Sequence, residues 1–427
     1  MYVNTNSLPE AKMTNPDQNQ RAKTVGSPTA ARVPRKWWLG AAALMVPLTL
    51  LAQSPGKPYK IGFTNSQTGA LGPGYLATEY SGFMSYVQAL NAAGGVNGKK
   101  IEVEGLDDRS ESTVAVTNYL KLANGDSIAA FGSAFSTMAV AQQPFVAEYG
   151  LPLIVGAVPD KLVRPPQPLF FSTNLSHGAS AVLQVNFGAA LMQKAGIAKP
   201  RVATFSTQSP GGVDFKATLE RKFKELGWTV VEGQTHIPGT TDFSTQAAAI
   251  ARAKPDVVMG VAIPSEMPTY VKALRQQGMM APIVENYVGS EESVYSQMKD
   301  DDYYAPRSFV APSADAATQM RADATAAGFA RDTVSTAFTH GYVLGMLLKE
   351  ALVKCGADCD RKKFAAVLPT ITNLDTKGLS GPAGFTASDH WLIKSAIFYK
   401  WDSATGKTIA VGNPIVLKGG EWMEAAK

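Results

Sequence analysis

Tyr59-Lys60-Ile61-Gly62-Phe63-Thr64 is a short apolar strand pattern; helical spacing follows over residues 75–93, and a second strand pattern runs from Lys100 to Leu106. The alternation continues outward, with strands expected at 127–131 and 152–155 and helices at 111–124 and 137–149. Parallel neighbours in a sheet need a crossover long enough to hold a helix, so this βαβα rhythm predicts a parallel sheet with helices on both faces. The rhythm then restarts. Residues 201–205, 229–233, 256–261 and 283–285 read as strands, separated by helices at 212–226, 242–253 and 266–277. Two consecutive sheets of similar size imply two lobes.

Beyond residue 311 the pattern changes. Residues 332–353 read as a long buried helix and 361–368 as another, followed by extended segments at 378–385, 392–401 and 408–416. Such a tail either forms a third domain or returns to complete both earlier lobes, and composition leaves both open.

A chain of 427 residues, 45% hydrophobic and 18% charged, can bury substantial cores and is not expected to be disordered. Its formal charge of +5 belongs to the N-terminus: residues 1–52 hold six basic and two acidic side chains, leaving 34 and 33 in the remainder. Nucleic-acid binders carry their positive charge on the folded surface, so that class is set aside. Arg32, Arg35 and Lys36 precede an uncharged run, residues 37–51, and small Ala52 follows. Basic, apolar and small residues in that order read as a secretory signal peptide. The apolar run is about 15 residues against the roughly 20 a spanning helix needs, so cleavage and a periplasmic location are expected in preference to an anchor.

Cys355 and Cys359 bracket Gly-Ala-Asp. In an oxidising compartment they are expected as a disulfide, with two free thiols as the alternative. The four histidines, at 177, 236, 340 and 390, form no cluster with them at zinc spacing, so neither a metal nor a cofactor is expected.

Several motifs then carry a resemblance. Thr68-Gly69-Ala70-Leu71-Gly72, the run Asn91-Ala92-Ala93-Gly94-Gly95-Val96-Asn97-Gly98, Glu148 to Ile154, Asp242-Phe243-Ser244, Pro255 to Val258 and Gly381-Pro382-Ala383-Gly384-Phe385 occur in an order that resembles the periplasmic substrate-binding proteins of branched-chain amino acid ABC transporters, the leucine/isoleucine/valine-binding family. The resemblance covers about residues 57–416. It implies a type I periplasmic-binding fold: two α/β, doubly wound parallel-sheet lobes joined by a three-stranded hinge, with a ligand held between them. On that reading residues 57–174 with about 311–374 form lobe 1, residues 175–310 with about 375–427 form lobe 2, and residues 1–52 are the N-terminal extension and signal peptide. The implied partners are a small-molecule ligand and the membrane permease of an ABC importer. The protein is expected to act as a monomer. Glycine tolerates left-handed conformations, so Gly94-Gly95 and Asn97-Gly98 are read as a helix cap and a tight turn with no binding role.

Site chemistry is expected where strands end and helices begin, because the first helical N–H groups are unpaired and favour an anion. The loop Gly132-Ser133-Ala134-Phe135-Ser136-Thr137 fits this description, and the resemblance makes it the ligand-carboxylate loop, with Ser133, Ala134, Ser136 and Thr137 as contacts. Gly156, Ala157 and Pro159 follow the next strand as its companions; Tyr75 stands where relatives place an aromatic ring against the ligand; Gln208 and Ala262 follow strands of the second lobe. Capping is the structural alternative for Ser136 and Thr137, packing for Tyr75. The second lobe departs from the amino acid pattern, for Tyr287 stands where relatives offer a carboxylate to an ammonium, and Gly211 where a tyrosine is frequent. Glu285, two residues before Tyr287, shares its side only if the strand continues. A cleft without a carboxylate favours an aromatic or aliphatic acid or an amide, because an unpaired buried ammonium is costly.

Enzyme motifs are absent: there is no His-Glu-x-x-His and no Gly-x-Ser-x-Gly. Glu111, Asp214, Asp242 and Glu266 each fall near an expected helix start, where acidic residues complement the helix dipole. No catalytic residue is therefore expected. A ligand sensor on the same fold and an α/β hydrolase are the alternatives to a transport receptor.

Overall fold

The computed structural model describes residues 56–156 and 159–417; the expected leader and Ala157 lie outside them. The first βα units form as their patterns require. Strands β1 (Tyr59–Asn65), β2 (Ile101–Asp107), β3 (Ala129–Gly132), β4 (Leu153–Val155) and β5 (Phe170–Ser172) alternate with helices α1 (Ala77–Ala92), α2 (Ser112–Asn124) and α3 (Ser136–Tyr149). They make a wholly parallel five-stranded sheet in the order β2-β1-β3-β4-β5. After α1, Gly95 takes a positive φ, and an added Cβ there would lie 1.9 Å from the Lys99 carbonyl oxygen. Asn97 and Gly98 also have positive φ, which closes the turn between the paired Val96 and Lys99.

A helix absent from the sequence expectation, α4 (His177–Lys194), leads into the second sheet. It is buried along most of its first half, so its apolar residues run all round and give no single stripe to read. The elements that follow are β6 (Arg201–Thr207), α5 (Pro210–Leu226), β7 (Thr229–His236), α6 (Ser244–Ala253), β8 (Val257–Val261), α7 (Met267–Gln276), β9 (Ile283–Glu285), α8 (Glu292–Met298) and β10 (Tyr303–Arg307). The chain then returns to the first lobe. Helices α9 (Thr318–Ala326), α10 (Thr336–Cys355) and α11 (Arg361–Val367) supply Met320, Phe338, Leu347 and Phe364 to the core that holds Phe63, Phe83 and Phe131. Finally β11 (Ser395–Asp402) and β12 (Lys407–Val416) add antiparallel strands to the second sheet, whose order is β12-β11-β10-β9-β8-β6-β7. The tail completes both lobes and forms no third domain.

After α11, Leu379, Ala383, Phe385, Leu392 and Ile393 pack in the same core as Phe63 and Phe131. These are apolar side chains with a core to fill, and only at Ser395 does the chain pair with the second sheet's strands. The extended segment expected at 378–385 is accordingly joined only by isolated bridges, Phe309 to Ser380 and Ala383 to Ile393.

The chain crosses between lobes three times: after β5 at residues 173–176, after β10 at residues 308–310, and near Lys394. The crossings brace one another, for Leu392 N–H donates to the Ser172 carbonyl and Val310 N–H to the Leu379 carbonyl, each at 2.9 Å. Cys355 and Cys359 are joined by a disulfide just after α10, their Cα atoms 5.3 Å apart. Among the described residues no helix is long and apolar enough to cross a membrane.

Candidate functional site: a cleft at the strand ends

In both sheets the strand order reverses beside the first strand of the lobe, β1 between β2 and β3, and β6 between β7 and β8. Loops at the carboxyl ends of strands diverge at such a point and leave a crevice. The two crevices face each other. Tyr75, beyond β1, and Ala134, beyond β3, meet Tyr287, beyond β9, and these three residues line two adjoining chambers of one interlobe cleft.

The chambers differ in character. One is mostly apolar, walled by Leu71, Leu76 and Phe135 from the first lobe and Val261, Ile263 and Val288 from the second. The other is polar and abuts the hinge, with Glu79, Asn174, Ser308, Thr336 and His340 around Tyr75 and Tyr287. The lobes touch across the cleft: Gly211 N–H donates to Ser136 Oγ at 3.1 Å, and Ile263 packs with Leu71, Leu76, Ala115 and Met138. Gly211 has no room for the tyrosine frequent in relatives, since a Cβ there would lie 2.2 Å from His177 Nε2. Burial pulls the His177 pKa down to about 4, so the ring facing the apolar chamber is neutral.

Of the expected site residues, Tyr75, Ala134, Ser136, Gly156, Ala262 and Tyr287 line the cleft. Ser133, Thr137, Pro159, Gln208 and Glu285 are not among its lining residues. Ser133 turns inward, its hydroxyl donating to Gln142 Oε1 at 2.5 Å, and Gln208 is exposed with Nε2 donating to Thr235 Oγ1. Glu285 lies inside the second lobe. Its Oε1 accepts the Ala262 N–H at 3.1 Å, and burial raises its pKa well above the ordinary value. Strand β9 ends at Glu285, and the Asn286 side chain caps the turn of Tyr287–Gly289, so Tyr287 swings into the cleft while Glu285 does not. Burial also pushes the hydroxyl pKa of Tyr75 and of Tyr287 upward, keeping both protonated.

The sequence reading missed the acid of the cleft, Glu79. It is fully buried on α1, three residues after Leu76 and hence on the same helical face. Its Oε2 accepts from Asn65 Nδ2 at 3.3 Å, and its Oε1 lies 2.9 Å from His340 Nδ1 on α10. The carboxyl that lines the cleft thus comes from the first lobe, whereas Glu285 of the second lobe does not line it. A helical spacing from Leu76 would have pointed to Glu79. Nothing local would have pointed to His340, which α10 delivers from far along the chain.

The whole arrangement matches a known family model, that of the periplasmic binding proteins, over residues 58–407. The chain belongs to this family. Periplasmic binding proteins act outside the cytoplasm, and solved structures of the same fold include three with informative descriptions. A branched-chain amino acid ABC transporter protein from Thermus thermophilus with bound valine is 15% identical, with 87% of this chain and 98% of that one covered at a TM-score of 0.77. A fatty acid ABC transporter substrate-binding protein from Thermomonospora curvata is 22% identical, covering 86% and 94% at 0.74. A solute-binding protein of an ABC transporter from Rhodopseudomonas palustris BisB5, in complex with 3,4-dihydroxybenzoic acid, is 18% identical, covering 85% and 99% at 0.72. At these identities the likeness establishes the periplasmic binding fold. No curated protein sequence matches the chain significantly.

Proposed function

We propose that this periplasmic binding protein captures a small carboxylate-bearing metabolite between its lobes and delivers it, unreacted, to the permease of an ABC importer. The observation that carries this reading is the cleft itself, whose two chambers are walled by both lobes and share Tyr75, Ala134 and Tyr287. A pocket split between two bodies on a three-strand hinge closes when a ligand contacts both. The moving bodies are residues 57–174 with 311–393, and residues 175–310 with 394–417.

The start of α3 supports a carboxylate. Phe135 at its N-cap provides no side-chain cap, so the first N–H groups of the helix have no side-chain acceptor, and Ala134, Phe135 and Ser136 beside them line the cleft. The relatives' descriptions point the same way, since valine, dihydroxybenzoate and fatty acids all carry a carboxylate. Residues 1–52 are the leader that exports the protein, which works as a monomer.

Thermal-shift screening of the mature chain tests the reading, because a ligand that binds only the folded state raises its melting point. Branched-chain and aromatic amino acids, benzoate-type acids, medium-chain fatty acids and short amides form the panel. At least one carboxylate should stabilise the protein and, in small-angle scattering, shrink it. A panel with no stabilising carboxylate would sink the proposal.

A further inference from the structure

We propose that Glu79 is the residue that sets the specificity of the cleft: its carboxylate accepts a hydrogen bond from a donor on the ligand, an ammonium or a hydroxyl, and an acid of the same shape lacking that donor is rejected. This rests on the cleft being the ligand site.

Among the described residues Glu79 is the one acid lining either chamber, and it reaches the polar chamber from a fully buried position. Its two oxygens are unequal. Asn65 Nδ2 serves Oε2, whereas Oε1 has the His340 Nδ1 contact at 2.9 Å and lone-pair capacity for a further donor. The far side of the imidazole is committed. Thr173 gives its hydroxyl proton to the Val155 carbonyl at 2.7 Å, so across the 2.9 Å contact with His340 Nε2 it is Thr173 Oγ1 that accepts. His340 thus faces Glu79 Oε1 from a fixed position beside the polar chamber that both residues line.

The other acceptors at this end are neutral hydroxyls and amides, Ser308 Oγ among them, and among the described residues no other carboxyl lines the chamber. The tyrosine hydroxyls of Tyr75 and Tyr287 remain protonated, and the other buried carboxylate nearby, Glu291, is taken up by Thr336. A buried acceptor left unmet loses free energy on every closure, and a ligand bringing a donor recovers it. A site built around such an acceptor discriminates strongly against the analogue that lacks the donor.

Calorimetric titration of matched pairs tests this on the unaltered mature chain: valine against isovalerate, phenylalanine against 3-phenylpropionate, and 4-hydroxybenzoate against benzoate. In each pair that binds, the donor-bearing member should bind about tenfold tighter or more. An advantage confined to the amino pairs assigns an ammonium head to the ligand, and one confined to the hydroxyl pair assigns a neutral donor. In Glu79→Met, checked for folding by circular dichroism, the advantage should vanish or reverse. Because the pairs are also read on the native chain, failure of that variant to fold does not remove the test. Equal affinities within the pairs that bind would overturn the role of Glu79 alone; silence of every compound in both this set and the thermal-shift panel would overturn the binding function and this inference together.

Discussion

Glu291, at the start of α8 in the second lobe, accepts the main-chain N–H of Thr336, at the start of α10 in the first, at 2.8 Å, and its other oxygen takes the Thr336 hydroxyl. The carboxylate therefore sits on the positive end of a 20-residue helix belonging to the opposite lobe. Burial raises its pKa, while the Thr336 donors and Arg307 act in the other direction. Thr336 itself lines the polar chamber, so this clasp closes the wall of the site.

Glu291→Ala should therefore weaken ligand binding without touching the ligand. Hydrogen bonds to a charged group contribute about 1.5–3 kcal/mol, which corresponds to an affinity loss of roughly tenfold or more. Titration calorimetry measures the loss, and small-angle scattering should show a more open unliganded protein. Unchanged affinity would mean that the clasp is not part of closure.

The Glu79–His340 pair exists because two helices come unusually close. A Cβ on Gly341 would lie 1.8 Å from the Glu79 carbonyl oxygen, and one on Gly82 would lie 2.0 Å from the Phe338 carbonyl oxygen. At an unobstructed position in a helix, replacing glycine by alanine stabilises by about 1 kcal/mol. Here the sign should invert: Gly341→Ala is expected to destabilise by about 1–3 kcal/mol, as overpacking does, and to part His340 from Glu79. Chemical denaturation gives the sign directly. A stabilised variant would show that the helices have slack between them.

The lobes were legible because β3 and β8 are continuous apolar runs and β1 and β6 carry apolar centres, Ile61-Gly62-Phe63 and Val202-Ala203, each followed by a helical segment, the local signature of a buried parallel strand. Two kinds of feature escaped. Helix α4 is buried on nearly all sides in its first half, and β5 is three residues long, too short for any period. The site divided in the same way. Ala134 and Ser136 follow the end of β3, a position readable in the chain, whereas Tyr75 and Tyr287 were singled out through the resemblance. His340 meets Glu79 only through the α1–α10 crossing, a contact between residues 261 positions apart, and no local pattern encodes it. Whether Glu285 or Tyr287 faced the cleft depended on one residue, Asn286, ending the strand.

Asp160 and Asp214 bring like charges together across the lobes, the Asp160 N–H donating to Asp214 Oδ2 at 3.3 Å. Burial first, and the Asp160 charge second, push the Asp214 pKa up to about 6, with Lys161 and Arg221 only partly opposing; burial raises Asp160 as well, against Arg164 and Ser176. A carboxyl whose pKa is raised on folding stabilises the fold while protonated. That contribution is complete below the ordinary value of 3.8 and is lost as the pH climbs through about 6. At neutral pH the ionised Asp214 thus opposes the folded, closed arrangement by at most about 3 kcal/mol. Asp214→Asn keeps an oxygen for the Asp160 N–H and removes the charge, so it should raise the melting temperature at about pH 7.5 and have little effect near pH 4. Melting curves of both proteins across that range check the sign, and two parallel pH profiles would show that Asp214 is not the group that titrates.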